Sequence, residues 1–434
     1  MKRIQLTPRT DWQTKVEQLG LTFHSPQAMA PRPYWDESAA YQFTAAEIDT
    51  LEAAGNELQT MCLAAAQHVI DKKRYAELAI PPAAVPMIEW AWNQEPPAIY
   101  GRFDIAWAGA DSGHPPKLLE YNADTPTSLV EAAVIQWAWL EDVAHTLPGT
   151  AKPDQFNSIH DRLIAKWKDV KTYLHEPVYF ASLQGEAPNA ATAVDLAEDH
   201  LTTTYLEDTA RQAGLKTRSI PIHDIGWNED RHVFVDADTQ ENQIESLFKL
   251  YPWEAMLAEE FGPAAIATYP MMTWIEPIWK LLLSNKGILP ILWELYPNHP
   301  LLLEAHFEAP SANQWSTVNE AGGPRLAAGT ETASSLATTL TSYVRKPLFS
   351  REGANISMVR PNARTIETPG VYGDGPFIRQ AIAPAATFDD ATGKPRFPIL
   401  GLWMIDQDCS GLGIRESAGP ITDNLSSFIP HFFT

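Results

Sequence analysis

The sequence predicts a mixed α+β and α/β fold with a small parallel-sheet lobe, and three observations predict it. A long apolar stripe at helical spacing lies near the N-terminus. A strand–helix–strand succession lies in the middle, and strands alternate with glycine turns from Ser342 onward. Residues 45–71 read as the helix, with Thr44 as N-cap, Glu47 at the capping-box position, and Leu51, Leu58, Cys62 and Val69 on one face. Strands are expected around Arg102-Phe-Asp104 and Lys117-Leu-Leu-Glu120-Tyr-Asn122. A helix follows from Leu129 to His145, containing Trp137 and Trp139, and Pro148, Gly149, Pro153 and Asp154 mark a loop.

Residues 178–183 form a short β-type run, residues 191–213 a helix with Gly214 at C′, and residues 216–222 a second strand. Strand, helix, strand is a βαβ unit and implies parallel pairing. No GxGxxG follows the first strand, so no dinucleotide site is expected. Residues 310–339 are rich in Ala, Gly, Ser and Thr and read as a flexible insertion or lid. Beyond them, Tyr343-Val-Arg-Lys346-Pro-Leu-Phe and residues 350–357 read as strand, loop, strand. Residues 377–382 are another strand, and residues 397–405, the turn 406–411 and residues 412–415 form a hairpin. The chain divides into sub-regions 1–150, 175–265 and 270–434 within one unit.

Composition narrows the function classes. With 434 residues, 45% hydrophobic residues and 15 Trp, a large buried core is expected. Cys62 and Cys409 are the two cysteines, which excludes a cysteine zinc site or disulfide framework and fits a reducing cytosol. The start of the chain lacks the apolar run of a signal peptide. The most apolar later stretch, residues 271–283, is too short and too polar to span a bilayer. These features point to a cytoplasmic protein without a membrane partner. A net charge of -22 disfavours nucleic acid and anionic membranes, and obliges any nucleotide site to build its own positive pocket.

Such a pocket can be read from two segments. In extended backbone alternate residues share a face, so Arg102 and Asp104 point one way, as do Glu120, Asn122 and Asp124, with Leu119 and Tyr121 on the apolar side. Acids, a carboxamide and an arginine make a hard, oxygen-rich surface of the kind Mg²⁺ favours when it shares its shell with phosphates. Lys346 lies in a largely apolar strand before a loop holding Arg351, Glu352 and Gly353, and Lys286 adjoins another apolar run. A buried lysine calls for an anion, and a glycine loop lets backbone N–H groups approach phosphates. GxxxxGK[ST], HExxH and GxSxG do not occur.

These motifs, in this order, resemble the glutathionylspermidine synthase family, specifically its synthetase domain with an ATP-grasp-like fold. The segments that carry the resemblance are Tyr100-Gly-Arg-Phe-Asp104, Leu119-Glu-Tyr-Asn-Ala-Asp124-Thr-Pro-Thr-Ser128, Leu247-Phe-Lys-Leu-Tyr-Pro-Trp-Glu254, Ser284-Asn-Lys-Gly-Ile-Leu-Pro290, Arg345-Lys-Pro-Leu-Phe-Ser-Arg-Glu-Gly353 and Gly413-Ile-Arg415. The resemblance implies an ATP- and Mg²⁺-dependent acid–amine ligase working through an acyl phosphate, with two magnesium ions. By it, Asp104, Glu120 and Asn122 match the metal ligands and Arg102 the arginine facing the acyl-phosphate oxygens. Lys286 and Lys346 match lysines on the ATP phosphates, and Arg415 an arginine at the substrate end.

The same resemblance places Ser350, Arg351 and Gly353 in the loop over the triphosphate and Gln380 beside the adenine. It makes the parallel lobe pre-ATP-grasp-like and the partners a peptide-like carboxylate and an amine, a polyamine among them. Glu352 is a candidate for a second magnesium ion and Glu254 for holding substrate. The amidase domain of bifunctional members is not expected. Two alternatives stand beside ligation: a phosphotransferase or ATPase of the same fold, and a nucleotide-binding protein without turnover.

Overall fold

The computed structural model of the protein describes residues 1–149, 152–185, 190–239, 242–308, 340–373, 375–423 and 426–434. The insertion expected at 310–339 lies outside the described residues. The N-terminal helix runs from Ala45 to Lys72, and its capping box is formed: the Glu47 N–H donates to Thr44 Oγ1, and the Thr44 N–H to the Glu47 carboxylate. Leu51, Leu58, Cys62 and Val69 are all fully buried. Gly55 sits where a Cβ would come within 2.6 Å of Cys409 Sγ, so a side chain there would push the helix off the hairpin beneath it.

That hairpin belongs to a central antiparallel sheet in the order Ser427–Phe428, Asp408–Ser417, Pro395–Ile405, Tyr100–Ala106, Lys117–Asn122. Strands from near both ends of the chain thus share one sheet. The hairpin turn is tighter than the sequence reading expects. Ile405 pairs with Asp408, and Asp406 and Gln407 both take positive φ, 51° and 68°, as a two-residue turn matched to strand twist requires.

The predicted βαβ unit is present as Val178–Ser182, Ala190–Gln212 and Thr217–Pro221. Its two strands pair in parallel within a four-stranded sheet that also holds Ser246–Leu250 and Thr273–Ile275. Gly214, at φ 86°, ends the helix as expected. A third sheet runs Ala305–Phe307, Phe377–Ala381, Tyr343–Pro347, Ser357–Val359, Ile366–Glu367, antiparallel throughout. The three sheets meet around one cleft of about 500 Å³. No helix of the described residues is long and apolar enough to cross a membrane.

The helix expected from Leu129 to His145 is interrupted. Its first part, Glu131–Ile135, is a π segment, and Gln136–Val143 continues as α-helix. Trp139 is buried in it and Trp137 is partly exposed. A π segment rotates the side chains ahead of it relative to those behind, and such insertions are common where a side chain must be aimed at a site.

Candidate active site

Two neighbouring strands of the central sheet set the first row of site residues. Arg102 lies directly opposite Asn122, and Asp104 opposite Glu120, so all four side chains share the cleft face. Arg102 Nε donates to Asp104 Oδ1 at 2.7 Å and Nη2 to Oδ2 at 3.1 Å, a fork that fixes both groups. Its remaining arm reaches the Thr127 carbonyl at 2.8 Å, and the guanidinium lies 5.7 Å from the Trp403 ring centre. Asn122 Nδ2 lies 3.4 Å from Asp104 Oδ2 and 3.3 Å from Glu120 Oε1, spanning the two acids.

The ladder then breaks. Asp104 pairs with Glu120 but Ile105 with Leu118, so Leu119 is a bulge. The sequence reading put Leu119 on the apolar face beside Tyr121. Instead it lines the cleft, while Tyr121 stacks on Phe103 beneath the sheet. The bulge leaves the Leu119 carbonyl without a strand partner, and Lys346 Nζ takes it at 3.0 Å. Lys346 also donates to Gln380 Oε1 at 2.8 Å, and Gln380 Nε2 to the Leu118 carbonyl at 3.1 Å, which ties the third sheet to the central one. Lys286 lies 3.0 Å from Glu120 Oε2 and bonds the Ser350 carbonyl.

Asp124 departs from the reading. The strand ends at Asn122, and Asp124 turns inward to a fully buried ion pair with Lys249, 2.9 Å away. Asp124 also accepts the Trp253 N–H at 3.0 Å, and Ser284 Oγ accepts the N–H groups of Ala123 and Asp124. It is a support under the 122–128 segment, not a member of the oxygen-rich face.

The glycine loop crosses above. Arg351 donates to Thr125 Oγ1 at 2.5 Å and to Glu254 Oε1 at 2.7 Å, so Glu254 faces this loop through Arg351. Glu352 and Gly353 take φ 55° and 69°, and a Cβ on Gly353 would lie 2.3 Å from the Thr422 carbonyl. Among the described residues, buried Ser350 Oγ and Glu254 Oε2 have no hydrogen-bond partner. Buried polar atoms without partners are costly, and of these two Ser350 lines the cleft. At the far end Arg415 donates to Ser128 Oγ at 3.2 Å and to the Ser426 and Asp423 carbonyls, with Tyr34 under its plane at 5.2 Å.

Electrostatics divide the cleft. Burial pushes the Asp104 carboxyl up against the pull of Arg102. At Glu120 burial is outweighed by Lys286 and Lys346, which bring the group down to about 2. Burial lowers Lys346 to about 8. The helix of the parallel lobe adds an acidic side that the sequence reading missed: Asp195, Glu198 and Asp199 all line the cleft. Burial and the nearby Glu352 and Glu198 push Asp195 up to about 7, and burial with Glu198 raises Asp199 well above the usual carboxylate range. Their shared helical face was the only signal available, and it reads equally as solvated surface.

The donor set tests the expected metal. Among the described residues no three His, Cys, Asp or Glu side chains gather at ligand spacing. Asp104, Glu120 and the Asn122 amide offer hard oxygens for part of a shell, leaving the rest to phosphates and water. That composition fits Mg²⁺ and does not fit a transition-metal cage.

Comparison with known proteins follows this geometry. A family described as glutathionylspermidine synthase preATP-grasp matches residues 3–434. A Haemophilus influenzae protein, provisionally named an acid–amine ligase, is 36% identical over 440 residues, covering all of both chains. Trypanothione synthetase of Crithidia fasciculata is 26% identical over 387 residues, covering 84% of this chain and 52% of that protein. Bifunctional glutathionylspermidine synthetase/amidase of Escherichia coli is 25% identical over 372 residues, covering 79% of this chain and 51% of that protein. The chain therefore spans about half the length of these two.

Among solved structures, a glutathione synthetase-like effector of Globodera pallida in its apo form superposes with a TM-score of 0.55 at 9% identity. It covers 98% of this chain and 96% of that one, a likeness of fold alone. The fold is thus the ATP-grasp-related synthetase arrangement, and the chain belongs to the glutathionylspermidine synthase family of acid–amine ligases.

Proposed function

We propose that the protein joins a peptide-like carboxylate to an aliphatic amine at the expense of ATP, through an acyl phosphate. The observation that carries this reading is the meeting of Lys286, Lys346, Arg102 and the Ser350–Gly353 loop over one pair of carboxylates in a single cleft. Triphosphate charge would be shared between Lys286, Lys346 and loop N–H groups, with the adenine beside Gln380. Asp104, Glu120 and Asn122 would hold Mg²⁺, which when bound supplies neutralisation of phosphate charge. Two ions and a role for Glu352 in the second remain part of the proposal.

The acid substrate lies with its carboxylate toward Arg102, whose orientation is held by Asp104 and Thr127. A carboxylate has oxide as leaving group and does not acylate amines. Once phosphorylated it loses phosphate instead, and Arg102 faces the oxygens on which charge develops. The amine approaches from the side of Asp195, Glu198 and Asp199, whose crowded carboxylates are relieved by a cation. A second ammonium group fits that side, which favours a polyamine. Membership of a ligase family favours amide formation over transfer that stops at a phosphorylated acid, and over binding without turnover. We place the reaction in the cytoplasm, where ATP is available.

The test is thermal melting of wild type and Glu120→Gln with ATP and Mg²⁺, followed by ADP release on acid and amine pairs. At ligand about 100-fold above Kd the expected stabilisation is about 2.7 kcal/mol, a few degrees for a chain of this size. Wild type should shift only when Mg²⁺ is present, and the variant should shift less. Absence of any shift at millimolar ATP, or ADP release independent of the amine, would overturn the reading.

A further inference from the structure

We propose that Glu131, Tyr34, Ser128 and Glu198 form a buried proton relay that takes up the proton lost by the amine substrate. The proposal rests on the ligase reading for its purpose but not for its geometry. Tyr34 Oη donates to Glu131 Oε1 at 2.7 Å, Tyr34 Oη and Ser128 Oγ are 3.2 Å apart, and Ser128 Oγ donates to Glu198 Oε1 at 2.6 Å. The four groups come from three distant parts of the chain and form one unbroken line of oxygen atoms. Glu131, Tyr34 and Ser128 are each at most 2% exposed, and Glu198, at 8%, is the end that lines the cleft.

Two local features hold this line in place. Glu131 opens the π segment Glu131–Ile135, which offsets it from the α-helical positions that follow. Ser128 has φ 65°, a left-handed conformation uncommon outside glycine, which turns its hydroxyl between Tyr34 and Glu198. Arg415 reaches Ser128 Oγ at 3.2 Å, and the groups facing Glu131 are Tyr34, Glu198 and Arg415. Burial and the charge of Glu198 bring Glu131 up to about 7, so it can hold or release a proton near neutrality.

The relay carries one proton and conserves it. At rest both carboxylates accept a hydroxyl hydrogen. When the amine docks as an ammonium ion, Glu198 takes one N–H proton, leaving the lone pair that attacks the acyl phosphate. That proton then passes inward: the Glu198 acid gives it to Ser128 Oγ, Ser128 its own to Tyr34 Oη, and Tyr34 its own to Glu131. Attack forms the C–N bond and breaks the C–O bond to phosphate. The departing phosphate takes the second N–H proton. Once the product has left, the stored proton passes back along the same line, over Ser128 and Glu198, to water in the open cleft, and Glu198 is then free for the next ammonium group. In this scheme Glu198 touches the substrate, and Glu131 acts through it.

The infrared carboxylic-acid C=O band, followed through a pH titration of the unliganded full-length chain, tests the relay without any substrate. Asp195 is also pushed up to about 7, so the titration is run in an Asp195→Asn background, where Glu131 should give a band titrating near pH 7. Adding Glu131→Gln should remove it. Adding Ser128→Gly, which suits the positive φ but deletes the hydroxyl, should shift its midpoint while leaving the melting temperature unchanged within a degree or two. An unaltered band in both variants, or none in the Asp195→Asn parent, overturns the relay.

Once an acid and amine pair is known, kcat should fall about 10- to 100-fold in Glu131→Gln and Ser128→Gly, and the pH profile should move in both. The Kd for ATP should stay as in wild type. Reduced kcat with an unmoved pH profile would make the four residues structural. Failure to find any turning-over pair would strike the ligase reading and leave the infrared result standing.

Discussion

Replacing Lys249 by methionine removes one charge from a pair that water cannot reach. Lys249 and Asp124 are both fully buried, their charged atoms 2.9 Å apart. At an effective dielectric near 20 their attraction is about 6 kcal/mol before the cost of desolvating both ions. Burial alone already lowers the Lys249 ammonium, against the pull of Asp124. In Lys249→Met the Asp124 carboxylate would keep the Trp253 N–H at 3.0 Å as its remaining donor, without a cation. Stranding one member of such a pair costs roughly 3–5 kcal/mol.

With about 2 cal/mol/K of unfolding entropy per residue over 434 residues, that is a fall in Tm of roughly 3–5 °C. The double variant Asp124→Asn/Lys249→Met leaves no charge behind and keeps an acceptor for Trp253. It should recover most of the loss, with a coupling of about 2 kcal/mol or more in a double-mutant cycle read by calorimetry. Additive losses, or a Lys249→Met cost under about 1 kcal/mol, would refute the view of Asp124 as a charge held in a dry support.

Three further expectations are open to measurement. Lys346→Ala and Glu120→Gln should each lower turnover by on the order of 10²-fold or more, and near-normal ADP release in both would remove the site assignment. Gly353→Ala combines a φ of 69° with a Cβ 2.3 Å from a backbone carbonyl, so the loop must shift; weaker ATP binding with nearly unchanged melting is expected by titration calorimetry. His431 is fully buried, and burial lowers it to about 3, while an unfolded histidine titrates near 6.5. The unfolded chain therefore binds the extra proton, and stability falls as pH drops from about 6.5 toward 3. The fall is about 2 kcal/mol by pH 5, and His431→Gln should flatten that part of the stability–pH curve in denaturant titrations.

Local signals were legible because local physics decides them. Thr44 and Glu47 announce a helix start by their own hydrogen bonds, and the βαβ succession implies parallel strands whatever they pack against. The alternation at Arg102, Asp104, Glu120 and Asn122 was readable for the same reason, because a pleat has period two. What could not be read were contacts made over long sequence distance. Asp124 continues the alternation on paper, yet its partner lies 125 residues away in another sheet. Leu119 keeps the period until a bulge breaks it, and no local residue signals the bulge. Glu131, Tyr34 and Glu198 share no motif and meet only when three segments fold together.

The pairing of Lys286 with Glu120 has one more consequence. Before any ligand arrives, each ion serves as the other's counterion, and binding is an exchange of partners. An anion that takes Lys286 leaves Glu120 needing a cation, and a cation that takes Glu120 releases Lys286 toward an anion. Each ligand therefore raises the affinity for the other by the same factor, as linkage demands, and either alone binds against a standing competitor. On the proposed reading, a single 3.0 Å contact would make an anion at Lys286 and a cation at Glu120 reciprocal effectors, each drawing in the other.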